Sequence, residues 1–77
     1  MEISDLIKLI RTELSMSQTA FAEKMHVHFS TVNRWENGHA QPNRLATIMM
    51  IDLCEKEAVS RELINALNEG FDIFRHL

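Results

Sequence analysis

Ser30, Thr31, Asn33 and Arg34 stand within five consecutive positions, interrupted only by Val32. All four are polar, short to medium in length, and able to hydrogen-bond at the tip. On a helix, Val32 and Trp35 would turn inward and these four outward. Such a face can address base edges exposed in a nucleic-acid groove. Asn33 can pair bidentately with adenine, and Arg34 with guanine O6 and N7. Ser30 and Thr31 can reach base edges or phosphates, and Phe29 can pack on a thymine methyl group. Arg34 is the strongest single candidate for a specificity determinant, since a good bidentate pair gives ~1–3 kcal/mol of base discrimination.

Other chemistries find no support. There is no Ser/His/acid or Cys/His arrangement, no Gly-rich phosphate loop and no paired-carboxylate signature, so catalysis is not expected. The four histidines do not make a metal centre. His26 and His28 are two apart and point to different sides, and Cys54 stands alone with no zinc-type spacing. No metal and no cofactor is expected.

The elements that must position this face follow from spacing and punctuation. Ile3, Leu6, Ile7, Ile10 and Leu14 fall at helical spacing, with Lys8, Arg11 and Glu13 on the other side. They predict a first helix over about 4–14, with Ser4 as its N-cap. Ser17 caps a second helix, Gln18 to Met25, with Phe21, Ala22 and Met25 as its apolar face. His28 or Phe29 opens a third, running to about Trp35 and stopped by Asn37-Gly38. After Pro42, Asn43 caps a fourth, Arg44 to about Glu57, in which Leu45, Ile48, Met49, Asp52, Leu53 and Lys56 show amphipathic alternation. Ser60 caps a fifth, Arg61 to Asn68, with Leu63, Ile64 and Leu67 inward and Gly70 as its stop.

The bulk numbers agree with an all-α chain. It has 77 residues, 45% hydrophobic and 25% charged, with one Pro, two Gly and one Cys. That suits one small domain spanning 1–77 with a modest core, for which a partner subunit would add stability. A lone cysteine excludes an intramolecular disulfide and fits a reducing cytoplasm. No apolar run approaches membrane length, so neither a membrane span nor a signal peptide is expected.

The net charge is −3, unusual for a partner of nucleic acid, but it is unevenly spread. Residues 17–44 hold Lys24, Arg34 and Arg44 against Glu23 and Glu36, with His26, His28 and His39 besides. Residues 45–77 hold Lys56, Arg61 and Arg75 against Asp52, Glu55, Glu57, Glu62, Glu69 and Asp72. So few cations neutralise few phosphates, and weak binding by a single subunit is expected. The acidic part reads either as a solvated face or as a surface for a basic partner, such as a toxin or a polymerase subunit.

Ser17 to Pro42, SQTAFAEKMHVHFSTVNRWENGHAQP, resembles the Cro/cI-type (XRE) helix-turn-helix domains of bacterial and phage regulators. The resemblance extends over about residues 5–57. It implies a compact five-helix, lambda-repressor-like fold with its helix-turn-helix at about 17–37. Phe21, Ala22, Met25, Val27, Val32 and Trp35 fall on the family's anchoring positions, Ala22 at the helix crossing. Trp35-Glu36-Asn37-Gly38 and Pro42 match its frequent ending. Gln18 falls where the family often contacts a phosphate. Thr19, His28, Asn37, Gly38, His39, Asn43 and Arg44 are the accompanying phosphate candidates. Arg11 and Glu36 resemble a pair that ties the first helix to the end of the third; two solvated charges are the alternative. The chain departs from the pattern at His26, where the family usually has glycine, and at Phe29, where it often has a polar base reader.

The resemblance implies a DNA-binding transcriptional regulator, expected to be a repressor. It would bind an inverted-repeat operator in double-stranded DNA as a homodimer; at 77 residues little room is expected for a separate ligand-sensing domain. The apolar tail, Phe71, Ile73, Phe74 and Leu77, either completes the core or pairs two subunits. The alternatives are an antitoxin that represses its own operon and binds a toxin, and a protein-interaction module that keeps the fold without DNA binding.

Overall fold

A computed structural model describes residues 2–57 and 59–71. They form α1 (Ile3–Glu13), α2 (Gln18–Met25), α3 (Phe29–Glu36), α4 (Arg44–Lys56) and α5 (Arg61–Phe71), with no strand among the described residues. α2 packs on α3 and α4, while α1 packs on α3 and α5, and α5 also lies along α4. The core gathers Leu6, Ile7 and Ile10 of α1, Phe21, Ala22 and Met25 of α2, and Val32 and Trp35 of α3. Ala46, Met50 and Cys54 of α4, Val59, and Ile64 and Leu67 of α5 complete it. No helix among the described residues is long and apolar enough to cross a membrane.

Local chemistry sets most boundaries. Ser17 Oγ accepts from the Ala20 amide at 3.0 Å, and Asn43 Oδ1 from the Ala46 amide at 2.8 Å. Each satisfies a donor that the first helical turn leaves without an intrahelical partner. Three helices end in one way. Met16 N–H donates to Arg11 O, Val27 N–H to Ala22 O, and His39 N–H to Arg34 O, at 3.1, 3.0 and 2.9 Å. The residue before each donor, Ser15, His26 or Gly38, has φ of 57°, 57° or 75°. This is the left-handed cap that satisfies the last carbonyls. Only Gly38 takes that conformation without a Cβ penalty. Ser15 was not anticipated in this role.

Three expectations need correction. Ser4 lies inside α1, and Glu2 is the N-cap, without a side-chain cap bond. Ile3 packs against the core, which draws the helix start one residue earlier. Of the apolar residues Leu45, Ile48, Met49 and Leu53, only Met49 and Leu53 pack against the core, at the edge of the inward face of α4. That face is Ala46, Thr47, Met50 and Cys54, and Leu45 and Ile48 are 66% and 42% exposed. α4 is apolar nearly all round, so periodicity could not choose between its sides; the exposed Asp52–Lys56 pair at 2.9 Å marks the outside. Finally, α5 runs through Gly70 to Phe71. A glycine stops a helix only by turning left-handed; at helical dihedrals it merely costs about 1 kcal/mol relative to alanine.

Candidate nucleic-acid interface

The geometry of α2 and α3 is set from beneath. Phe21, Ala22, Met25, Val32 and Trp35 are all buried, and Val27 packs half-buried against the same cluster. Ala22 is 2% exposed, enclosed in the core that α2 shares with its neighbours. The turn depends on His26 at φ 57° and ψ 39°, a conformation histidine tolerates better than most non-glycine residues. His28 then caps α3 through its backbone, its carbonyl accepting from the Thr31 and Val32 amides at 3.0 and 3.4 Å.

A polar network joins the first three helices. Arg11 donates from Nε to Glu36 Oε2 at 2.6 Å and from Nη2 to Oε1 at 3.0 Å, while its Nη1 donates to Met16 O at 3.0 Å. Gln18 Nε2 donates to Glu36 Oε1 at 3.0 Å, and Asn33 Nδ2 donates to Gln18 Oε1 at 3.3 Å. Asn37 Nδ2 closes the chain on Asn33 O and Oδ1 at 2.9 and 3.0 Å. Glu36 is only 5% exposed. Burial alone would push its carboxyl up, but the bonds from Arg11 and Gln18 prevail and hold it below the ordinary carboxylate value. The Glu36 bond correspondingly raises the Arg11 pKa. Gln18, expected at a phosphate, therefore has both ends of its amide engaged inside the protein, with one N–H left over. The links from Gln18 to Glu36 and Asn33 join residues 15–18 apart, which no local sequence signal brings together.

Around this scaffold the remaining candidates divide by face. Ser30 and Arg34, four residues apart, share the outermost line of α3 and are exposed. Phe29 is 50% exposed. Asn33 flanks that line on the α2 side, half-buried against Gln18. Thr31 flanks it on the other side and lines a groove of about 500 Å³ shared with Met25, Val27, Trp35, Leu45 and Met49. Thr19, His28, Asn37, Gly38, His39, Asn43 and Arg44 are exposed. The Arg34 guanidinium rests near His39 O at 3.4 Å, a long contact that leaves it free to reorient. With Glu36 buried against Arg11, the exposed formal charges of 17–44 are Lys24, Arg34 and Arg44 against Glu23.

Phe71 is the last residue of α5, and Ile73, Phe74 and Leu77 lie outside the described residues. Among the described residues no group of three or more His, Cys, Asp or Glu could hold a metal ion.

Two helices locked at a tight turn, the second with an exposed polar face, define a helix-turn-helix unit. Residues 7–45 match the helix-turn-helix family model. That is half of the chain, and the chain belongs to the Cro/cI-type (XRE) helix-turn-helix family, a family of DNA-binding transcriptional regulators rather than of enzymes. No curated protein and no solved structure matches it.

Proposed function

We propose that the chain is a sequence-specific repressor that binds an inverted-repeat operator as a homodimer. α3 lies in the major groove, α2 crosses above the backbone, and the two half-sites are centred about one helical turn apart, ~34 Å. The observation that supports this reading best is the shared outer line of Ser30 and Arg34 on a helix anchored below by Val32, Trp35 and the paired Glu36. Ser30, Arg34, Asn33 and Phe29 contact base edges, with Thr31 at the margin. The free N–H of Gln18 and the exposed Thr19, His28, Asn37, Gly38, His39, Asn43 and Arg44 hold the phosphates. Pairing compensates for the few cations, because two subunits double the phosphates engaged.

Arg34→Ala tests the reading on an operator selected from random duplexes. Affinity falls and the preference at one base pair per half-site relaxes. Unchanged affinity and preference would remove α3 from the groove.

The exposed Leu45 and Ile48 favour a second reading, an antitoxin that also holds a toxin. A Leu45→Ser, Ile48→Ser chain that keeps DNA binding and loses the toxin would support it.

A further inference from the structure

The network beneath α3 has a direction. An ionised carboxylate only accepts hydrogen bonds. Glu36 is held in that form by Arg11, so the Gln18 amide must turn its NH₂ group to Glu36, as it does at 3.0 Å. Its other end, Oε1, can then only accept, and Asn33 must offer it an N–H, as it does at 3.3 Å. The Asn33 carbonyl oxygen is thereby turned the other way, where Asn37 Nδ2 donates to it at 3.0 Å. Each amide in the chain has one permitted orientation, imposed from the buried ion pair outward.

We propose that Gln18 is a positioning residue that transmits the charge of Glu36 to Asn33, fixing which edge of the Asn33 amide donates and which accepts at the DNA. This rests on the reading of α3 as the base-reading helix. After its internal bonds, Asn33 keeps one free N–H and one free lone pair. Adenine offers the matching pair in the major groove, N7 as acceptor and N6–H as donor. The order of those two groups across the groove reverses when A·T is inverted to T·A. An amide free to flip serves both orders; one held in a single sense serves one. Gln18 and Glu36 thus determine strand sense at a base pair that neither touches.

The test uses the full chain and two probes: a duplex recovered by selection from randomised DNA, and copies in which single A·T pairs are inverted. Asn33→Ala first identifies the pair that Asn33 reads, as the position where inversion ceases to matter. A bidentate contact makes that inversion cost roughly 5- to 150-fold in affinity. In Gln18→Met the cost falls to within about 3-fold, while the cost of replacing the guanine read by Arg34 is unchanged. Loss of the Gln18 phosphate contact lowers affinity for all duplexes equally and leaves such ratios untouched. Glu36→Gln, whose amide can donate as well as accept, gives the same loss at the same base pair, so either variant decides the matter if the other fails to fold. If Asn33→Ala abolishes the preference but both relay variants keep it in full, the relay is refuted and the reading helix stands. If Asn33→Ala alters no base preference while Arg34→Ala does, the relay is likewise refuted. If neither alters any preference, the reading of α3 itself has failed.

Discussion

Arg11→Met leaves Glu36 buried with its main partner gone. Glu36 has a side chain only 2% exposed, and Arg11 one 20% exposed, so the pair is largely withdrawn from water. Removing one member of a buried pair costs roughly 3–5 kcal/mol. Water can reach the edge of the guanidinium, so about 3 kcal/mol is expected at pH 7. A chain of this length has roughly 4–12 kcal/mol in total at 0.05–0.15 kcal/mol per residue, so the variant keeps roughly 1–9 kcal/mol. The pH dependence separates this account from a simple packing loss. In the parent, the Glu36 carboxyl lies below its ordinary value of 4.5. Its contribution is therefore complete above that value and is lost as pH falls through the folded value. In Arg11→Met both influences of Arg11 are gone, and burial, the largest single influence, is opposed only by Gln18 and Lys8, so the folded value should rise past the ordinary carboxylate value. The sign then reverses: the Glu36 contribution is favourable below 4.5 and is lost as pH rises through the new folded value. Urea melts of both chains at pH 7 and pH 4 measure this, because carboxylates common to both cancel in the difference. The gap should be near 3 kcal/mol at pH 7 and clearly smaller at pH 4. A gap under about 1 kcal/mol at pH 7, or one that does not change with pH, refutes the reasoning.

Three further predictions test the scaffold. His26→Gly relieves a left-handed residue, worth roughly 1–2 kcal/mol, against the extra unfolded entropy of glycine of about 0.4–1 kcal/mol. It should raise stability by ~0.5–1 kcal/mol, seen as a melting temperature a few degrees higher; a lower one would show that the His26 side chain itself supports the turn. Met50→Ala should cost roughly 2–5 kcal/mol in chemical denaturation, and Leu45→Ser within about 0.5 kcal/mol, since only Met50 is enclosed. Comparable losses would reverse the assigned faces of α4. Burial, with a smaller contribution from Glu55, pushes the Cys54 thiol up to about 11. An aromatic disulfide reagent at pH 7.5 should label it only on unfolding, and rapid labelling of the native chain would contradict its enclosure.

Features decided within a few residues were legible in the sequence. Ser17 and Asn43 cap because an oxygen there meets an amide three positions on, and Asn37-Gly38 stops α3 by a local dihedral preference. The fold class, the family and the inward sides of α2 and α3 followed from such signals. What stayed hidden depends on assembly. Leu45, Ala46, Ile48, Met49, Met50, Ile51, Leu53 and Cys54 give α4 two apolar sides, and only its neighbours α2 and α5 select one. Ser15 accepts a left-handed φ without any glycine to announce it. Gln18 was legible as a polar residue opening α2, but its bond to Glu36 exists only once α3 is packed beside it.

The scarcity of cations then becomes a measurable property. Lys24, Arg34 and Arg44 are the exposed formal cations of 17–44. If each displaces one counterion, log K falls against log salt with a slope of about −0.9 per contact, or roughly −2.7 for one subunit and −5.4 for two. Titration of the selected operator and of an isolated half-site at several salt concentrations should give these two values. A half-site slope near zero would mean that the face carrying Lys24, Arg34 and Arg44 engages no phosphates. One steeper than about −5 would move the interface towards cations such as Lys8 or Arg61, outside the helix-turn-helix. Equal slopes on both duplexes would mean that a second subunit adds nothing, and the homodimer reading would fail while the one-subunit geometry survived.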